Sequence, residues 1–293
     1  MPLLSTGFFN RLRNILYAML HQGIVNHITG DVHYIALLMK RKRTIMTVHD
    51  VEIIRRSRFL KRNFILLFWF ILPARRVRYI TVISEFTRKE LLYYLPVRSS
   101  KLRVIPDCLP GKIPFSPGSF NSECPSILQV GTRHNKNLPN LIKAIYGLNC
   151  RLLILGNLNN SQEELLVQHS VDFQIYTELE YNQVLELYVK CDLLAFVSTY
   201  EGFGLPILEA QATGRPVVTS QASSMPEVAG NGACLVNPFD VSSIRDGILK
   251  VINDASYRDE LISKGRKNAE RFKPEIIAGR YAELYREIYK DFI

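Results

Sequence analysis

Glu201 and Glu209, separated by seven residues in the stretch EGFGLPILE, are the side chains in this sequence best placed to do chemistry. They follow directly on an apolar run, Asp192 to Val197, that reads as a buried strand, and Pro206 between them marks the first turn of a helix. Strand, glycine-containing turn and helix start together aim several backbone N–H groups and the positive end of a helix dipole at one point, which is a setting for phosphate. Gly202 and Gly204 have no Cβ, so a bulky anion can approach the main chain closely there. Glu209 lies three residues past Pro206 on the same helix face, with its side chain leaning back toward the helix start. A carboxylate repels phosphate but accepts hydrogen bonds from hydroxyls. The pair therefore suits a ligand that offers phosphates and hydroxyls together. A nucleotide sugar does so: its pyrophosphate takes the amides, its ribose one glutamate and its hexose the other. The plainer reading is a capped helix whose glutamates only complement its dipole.

These residues need a scaffold, and the sequence supplies the grammar of one. After residue 125 the runs Ser126 to Val130, Arg151 to Leu155, Asp192 to Val197 and Arg215 to Thr219 read as buried strands. The segments Asn137 to Leu148, Ser161 to Ser170, Tyr181 to Cys191 and Pro206 to Thr213 between them read as helices. Such alternation predicts a parallel sheet covered by helices on both faces. The same grammar precedes residue 110, with strands at Thr44 to Val48, Tyr79 to Ile83 and Leu102 to Ile105 and helices at Phe8 to His21 and Glu85 to Leu95. Ser84 is a candidate cap for the last of these helices. The stretch Pro106 to Pro125 holds five prolines and two glycines without apolar period and reads as a linker. The expected fold class is α/β, with two doubly wound Rossmann-like domains facing a cleft. Residues 1–112 form the first domain, 113–273 the second, and 274–293 a last helix that returns to the first.

Composition narrows the function classes. Hydrophobic residues at 47% and charged residues at 22% describe a folded chain. The net charge of +10 is unevenly spread: residues 1–112 carry 20 Lys and Arg against 6 Asp and Glu, and residues 113–293 carry 17 against 21. A basic first half facing something anionic, such as phospholipid, phosphorylated lipid or nucleic acid, or simply a solvated basic surface, accounts for this. The most apolar run, Phe64 to Leu72, has nine residues, against roughly 20 for a helix that spans a bilayer. Bracketed by Arg58, Lys61 and Arg62 and by Arg75, Arg76 and Arg78, it reads either as a helix lying in an interface or as a core helix with basic ends. No charged n-region followed by an apolar stretch opens the sequence, so no secretory signal is evident. Five scattered cysteines with no C-x-x-C argue against a disulfide framework or thiolate zinc site and fit a reducing compartment. There is no D-x-D, no Walker lysine motif and no G-x-S-x-G, and Ile207 stands where a dinucleotide fingerprint has its third glycine. Aromatic and basic residues are not interleaved as in RNA-recognition strands, and no nucleic-acid partner is expected.

With these residues in place, the sequence resembles the retaining glycosyltransferase family 4, of GT-B fold, whose hallmark is two glutamates separated by seven residues. Val130 to Ile145 (VGTRHNKNLPNLIKAI) is similar to that family's first donor-domain loop, and Ala212 to Pro238 to its later segments. The resemblance covers most of residues 79–291. It implies that Glu209 binds the nucleotide ribose, that Glu201 binds the sugar hydroxyls, and that the amides of Gly202, Phe203, Gly204 and Leu205 bind the sugar and diphosphate. Gly131 and Thr132 fall in the donor loop, and Lys136 matches the family's diphosphate-contacting lysine. Thr132 occupies the place of a frequent family arginine, with Arg133 displaced from it by one residue. A departing nucleoside diphosphate needs such cations whatever the family. His49, at the carboxyl end of Thr44 to Val48, stands at the sheet edge where open α/β folds place ligands, and the resemblance implies that it approaches the transferred sugar. A structural histidine is the alternative. His27 and His33 lack a helical metal-ligand spacing.

The family's first domain opens with a strand and a glycine-rich loop. Nothing of that kind precedes Thr44 here, where Phe8 to His21 reads as a basic amphipathic helix and Gly23 to Ile28 as the first strand. The first domain is therefore expected to be incomplete at its N-terminal end. The expected function is transfer of a sugar from a nucleoside diphosphate sugar to a glycan or lipid-linked acceptor with retention of configuration, in the cytoplasm or peripherally at the inner face of the cell membrane. Neither metal nor cofactor is expected. A non-catalytic sugar-nucleotide binder or scaffold is the alternative.

Overall fold

The computed structural model describes residues 3–292. The chain divides into two units, one made of the first 107 residues together with the C-terminal helix from Glu275 on, the other of Cys108–Pro274.

In the first unit four parallel strands, β1 (Asn26–Ile28), β2 (Thr44–Val48), β3 (Tyr79–Val82) and β4 (Leu102–Val104), lie side by side in chain order. Helix α1 (Phe8–Leu20) precedes β1, α2 (Glu52–Arg56), α3 (Phe59–Ile65) and α4 (Leu72–Arg75) connect β2 to β3, and α5 (Glu85–Tyr94) connects β3 to β4. Side chains alternate across a strand, and each face of this sheet has its own character. Ile28, Met46, Val48, Ile80, Val82 and Leu102 join an apolar core with Ile35, Ile54, Phe70, Ala74 and Leu91. The other face carries His27, Thr47 and Thr81: Thr47 and Thr81 are register partners with Oγ1 atoms 2.6 Å apart, and His27 Nε2 lies 2.7 Å from Thr47 Oγ1. Ser84 caps α5, its hydroxyl accepting from the Thr87 amide at 3.0 Å.

The apolar run Phe64 to Leu72 is partly buried and partly exposed. It lies in a helical stretch whose middle, Leu66–Ile71, is wound as a π-helix between α3 and α4. Ile65 and Phe70 are buried, while Phe64, Leu67 and Phe68 are exposed.

In the second unit six parallel strands follow: β5 (Ser126–Val130), β6 (Arg151–Leu155), β7 (Asp172–Tyr176), β8 (Leu193–Phe196), β9 (Val217–Ser220) and β10 (Cys234–Val236). Their spatial order is β10-β9-β8-β5-β6-β7. The connecting helices are α6 (Leu138–Ile145), α7 (Asn160–Gln168), α8 (Tyr181–Lys190), α9 (Leu205–Thr213) and α10 (Met225–Ala229), followed by α11 (Val241–Asn253) and α12 (Ala255–Ala269). One face packs Ile127, Leu152, Ile154, Ala195 and Val218 against Leu141 and Ile142 of α6, Leu166 of α7 and Ile248 of α11. The chain builds outward from β5 to β6 and β7, then returns so that β8 pairs with the opposite side of β5. Order reverses at the carboxyl ends of β5 and β8, the place where doubly wound sheets open a crevice.

The proline-rich stretch has no regular elements, but the division of the chain falls at Asp107/Cys108, before residue 112. Its later residues are fastened to the second unit. Leu109 is buried and its amide donates to the Phe272 carbonyl, the Ser116 amide donates to that of Thr213, and the Phe115 ring lies against Gly214. The last helix, α13 (Pro274–Tyr289), covers the polar face of the first sheet: Tyr285 OH is 2.7 Å from His27 Nδ1, Tyr79 binds Glu287, and Arg78 binds Asp291 in the turn that follows the helix.

Helix α12 comes so close to the turn before β10 that a Cβ on Gly232 would stand 2.4 Å from the Gly265 Cα, and neither backbone can yield locally. Beside this contact Gln211 donates to the Ala229 and Gly232 carbonyls and accepts from Asn268, which ties α9 to α12. Gly232→Ala should therefore force the helix off the turn at a cost of about 3 kcal/mol, the upper part of the usual range for overpacking. Urea denaturation should show a lower midpoint at unchanged slope.

Candidate functional site

Two loops meet where the second sheet reverses order. One runs from Gly131 to Asn137 after β5, the other from Ser198 to Gly204 after β8. The first is pinned from beneath: Gln129 donates to the Gly131 and Lys136 carbonyls, Gln162 to that of Thr132, and Asn137 to those of Val197 and Pro238. Asn137 holds φ at 60°, which turns the chain into α6. Gly131 sits at φ 87°, and a Cβ there would meet Lys136 Cε at 2.9 Å, so the bare glycine is the bed for the lysine stem.

The loops are stitched together through Asn135. Its carbonyl accepts from the Thr199 amide at 2.8 Å, and its side chain donates to the Tyr200 carbonyl at 3.0 Å and to Glu201 Oε1 at 3.3 Å. Glu201 Oε1 also lies 2.8 Å from Lys136 Nζ, in an ion pair whose side chains are 15% and 18% exposed. That is sheltered enough to raise the worth of the pair above that of a surface one, yet open to a ligand. The Lys136 ammonium stands 4.5 Å from the centre of the Phe196 ring, a contact that favours the cation. Ser223 and Ser224 prop the turn that carries Glu201: Ser223 Oγ accepts from the Glu201 amide, and Ser224 Oγ donates to the Glu201 and Phe203 carbonyls.

Helix α9 starts after Gly204, which holds φ at 115°, so Leu205 is its first residue and Pro206 its second, one position later than the sequence suggests. Proline forfeits no hydrogen bond there, since first-turn amides have no partner within the helix. Phe203 turns its ring into the core, 5.8 Å from that of Phe272. Only its main chain is left to meet a ligand.

Glu209 is more enclosed than its expected role suggests, at 6% exposure. Its carboxylate accepts from Tyr188 OH at 2.7 Å and from Tyr181 OH at 3.1 Å. Burial holds its pKa above the usual glutamate range, and the two phenols oppose that shift by stabilising the charged form. Burial next to the Glu209 charge raises the Tyr188 pKa in turn, so the phenol keeps its proton to donate. Glu201 and Glu209 thus have separate partners, Lys136 and Asn135 for one and a pair of tyrosines for the other. The residue pattern gave no warning of Tyr181 and Tyr188. Their one signal is a spacing of seven along α8, two turns on one face.

Arg133 is exposed, and the Thr132 hydroxyl is taken up by the Asn157 carbonyl at 2.5 Å. Where the family arginine would stand, the side chain is engaged in holding two loops together.

His49 lies in the first unit, past the carboxyl end of β2, lining a cavity of about 450 Å³ with His27, Thr29, Thr47, Asp107 and residues of α13. Its Nε2 is 2.7 Å from the Thr29 carbonyl and so donates to it, while Nδ1 faces Asp107 Oδ1 at 4.0 Å. Burial raises the Asp107 pKa. His27 has both nitrogens engaged, by Tyr285 and Thr47, and its pKa is lowered from 6.5 to about 4, chiefly by burial and then by His49. Because the folded value is depressed, the stabilisation is present above pH 6.5 and is lost as the pH falls toward 4. An NMR titration should find the His27 imidazole midpoint near 4, and His27→Gln should flatten the acid limb of the stability profile between those values. His33 is buried with Nε2 on the Thr47 carbonyl and is not part of the cavity lining.

Residues 2–109 match the family described as Glycosyltransferase Family 4, and residues 115–268 match Glycosyl transferases group 1. The chain is 27% identical over 277 residues to O-antigen chain mannosyltransferase B of Escherichia coli, covering 80% of this chain and 68% of that one. It is 30% identical over 233 residues to O-antigen chain mannosyltransferase RfbU of Salmonella typhimurium, covering 75% of this chain and 63% of the relative, less than two thirds of its length. Among solved structures it is similar to Anabaena HepE in complex with UDP and glucose, with a TM-score of 0.77 at 17% identity, covering 97% of this chain and 83% of that one. Two parallel-sheet Rossmann-like units, with a group 1 match across more than half of the residues, make this chain a member of the Glycosyl transferases group 1 family with the GT-B fold.

Proposed function

We propose that the chain transfers a sugar from a nucleoside diphosphate sugar to a glycan or lipid-linked acceptor, with retention of anomeric configuration. The observation that carries this reading is the sheltered pairing of Lys136 with Glu201 at 2.8 Å, held by Asn135 at the point where the second sheet reverses order. A cation and a carboxylate side by side are what a sugar diphosphate needs, one for the phosphates and one for the hydroxyls. In this reading the Lys136 ammonium exchanges Glu201 for the donor diphosphate, and Glu201 turns to the hydroxyls of the sugar. Gly131 and Thr132 bring their main chain to the diphosphate, and the amides from Gly202 to Leu205 take the sugar and diphosphate. Glu209 accepts from the ribose hydroxyls. As the bond to the leaving oxygen breaks, negative charge grows on the diphosphate and Lys136 stabilises it, with Arg133 as a second cation and no metal ion called on. The donor phosphate helps to deprotonate the acceptor. His49 is the sugar-contacting residue of the first unit. The names of the O-antigen relatives favour mannose as the sugar.

The acceptor side is read as a membrane-facing surface at the cytoplasmic side. Phe8, Leu12, Leu16 and Leu20 form a stripe of exposed apolar side chains along α1, and Leu60, Phe64 and Phe68 continue the theme on the helical stretch from α3, beside Arg58, Lys61 and Arg62. Apolar side chains flanked by cations suit an anionic lipid interface. No helix among the described residues is long and apolar enough to cross a membrane.

The test supplies purified protein with a panel of nucleoside diphosphate sugars, a mannose donor among them, and a membrane extract as acceptor. The expected result is transfer from one donor, with the one-bond C1–H1 coupling of the product showing the same anomeric configuration as the donor. Binding of a donor without any transfer would favour the non-catalytic sugar-nucleotide binder instead, and inversion would sink the stereochemical assignment.

A further inference from the structure

A second cavity, and a cationic one, lies in the first unit at the end of its sheet opposite His49, where β2, β3 and β4 begin. Arg41, Arg75, Arg78, Arg98, Lys101 and Arg103 line a space of about 850 Å³, and among the described residues no carboxylate is in its wall. Among the described residues Arg78 alone of the six is in an ion pair, with Asp291 just past the end of α13. Main-chain carbonyls satisfy part of the hydrogen-bonding capacity: Lys101 donates to that of Ala74 at the end of α4, and Arg103 to those of Ser100 and Leu102. Carbonyl dipoles accept hydrogen bonds but leave net charge uncancelled. Like charges gathered over a partly desolvated surface repel one another, and the repulsion is relieved by an anion. Lys101 shows the strain of that arrangement, its pKa lowered from 10.5 to about 8 by burial first and by Arg41 second.

The geometry points to a binding site for a diphosphate-bearing anion in this cavity, separate from the donor loops after β5 and β8. Several cations around one space match the charge and the many acceptor oxygens of linked phosphates better than a single carboxylate, and guanidinium groups pair with phosphate through two parallel bonds. A free diphosphate and a diphosphate on a lipid head share this chemistry.

The experiment uses the full chain in a Lys136→Ala background, so that the donor loop does not dominate, with inorganic pyrophosphate in calorimetry at low salt. A parallel arm uses phosphatidylcholine vesicles with and without a polyprenyl diphosphate. Arg75→Gln/Arg98→Gln removes two exposed cations of the cavity. Arg13→Gln/Lys89→Gln removes the same charge from exposed positions of the same unit outside it. Expected is a loss of about tenfold or more in affinity for the first pair, the scale of losing charged hydrogen bonds, and little change for the second. Lys101→Gln, which keeps a donor for the Ala74 carbonyl, should give an intermediate loss and guards against misfolding as the explanation. Binding of free pyrophosphate identifies a soluble source, and binding confined to the doped vesicles a lipid one. Equal losses from both pairs, or no binding of either probe, would overturn the assignment.

Discussion

Lys136→Ala should lower kcat for sugar transfer by about 10²- to 10³-fold, the scale of removing one preorganised donor to developing charge, while the KM for the donor changes less. The reason lies in how narrowly the ammonium is held. Its stem runs over the bare Gly131, its head is 2.8 Å from Glu201 Oε1 and 4.5 Å from the centre of the Phe196 ring, and the loop beneath it is pinned by Gln129 and Gln162. Such a cation needs little reorganisation when charge appears on the diphosphate. Truncation also leaves Glu201 with Asn135 as its remaining side-chain donor, so some stability should be lost along with the rate. Lys136→Arg keeps the charge but brings a wider head into the space over Gly131, and it should recover only part of the rate. Steady-state kinetics separate these outcomes: an unchanged kcat with a raised KM would mean that Lys136 binds the ground state and the transition state equally.

The second large effect is on affinity. Glu209→Ala should weaken binding of the nucleoside diphosphate by about 10- to 100-fold, as expected for losing charged hydrogen bonds to two ribose hydroxyls in a sheltered place. Calorimetry with the free nucleotide reads this directly, and an unchanged Kd would remove Glu209 from the site. Tyr188→Phe is the informative companion. It deletes the 2.7 Å donor to a carboxylate whose pKa burial has already raised, so protonation should set in at still higher pH. With the folded pKa raised, Glu209 loses its charge earlier on acidification than an ordinary glutamate. Nucleotide affinity should fall with it, and the variant should show that fall displaced toward neutral pH.

Much of the second unit could be read from the residues because its buried strands are continuous apolar runs bounded by glycine, proline and asparagine. The two strands that went unread, β7 and β10, are the outer ones. β7 is the sequence DFQIY, largely exposed, and β10 has three residues, so neither presents the apolar run that marks a central strand. In the first unit the basic helix at Phe8 was legible, but which side it buries was not. It tucks in Asn14 and Ala18 and leaves Phe8, Phe9 and Leu20 exposed, because Asn14 finds Tyr34 and the Leu3 carbonyl as partners.

Residue types and local spacing determined that Glu201 and Glu209 would follow a strand, with a glycine turn and a helix start between them, and that Lys136 would follow another strand, since those features depend on neighbours in the chain. Only the folded structure decided that the loops after β5 and β8 adjoin, because strand order depends on which sheet edge the returning chain takes, and nothing local encodes that choice. Tertiary packing likewise decided the company of each carboxylate: a lysine and an asparagine at half-sheltered Glu201, two phenols at buried Glu209. The strength and protonation of a charged group follow from its solvent exposure and its partners, and both are properties of the fold.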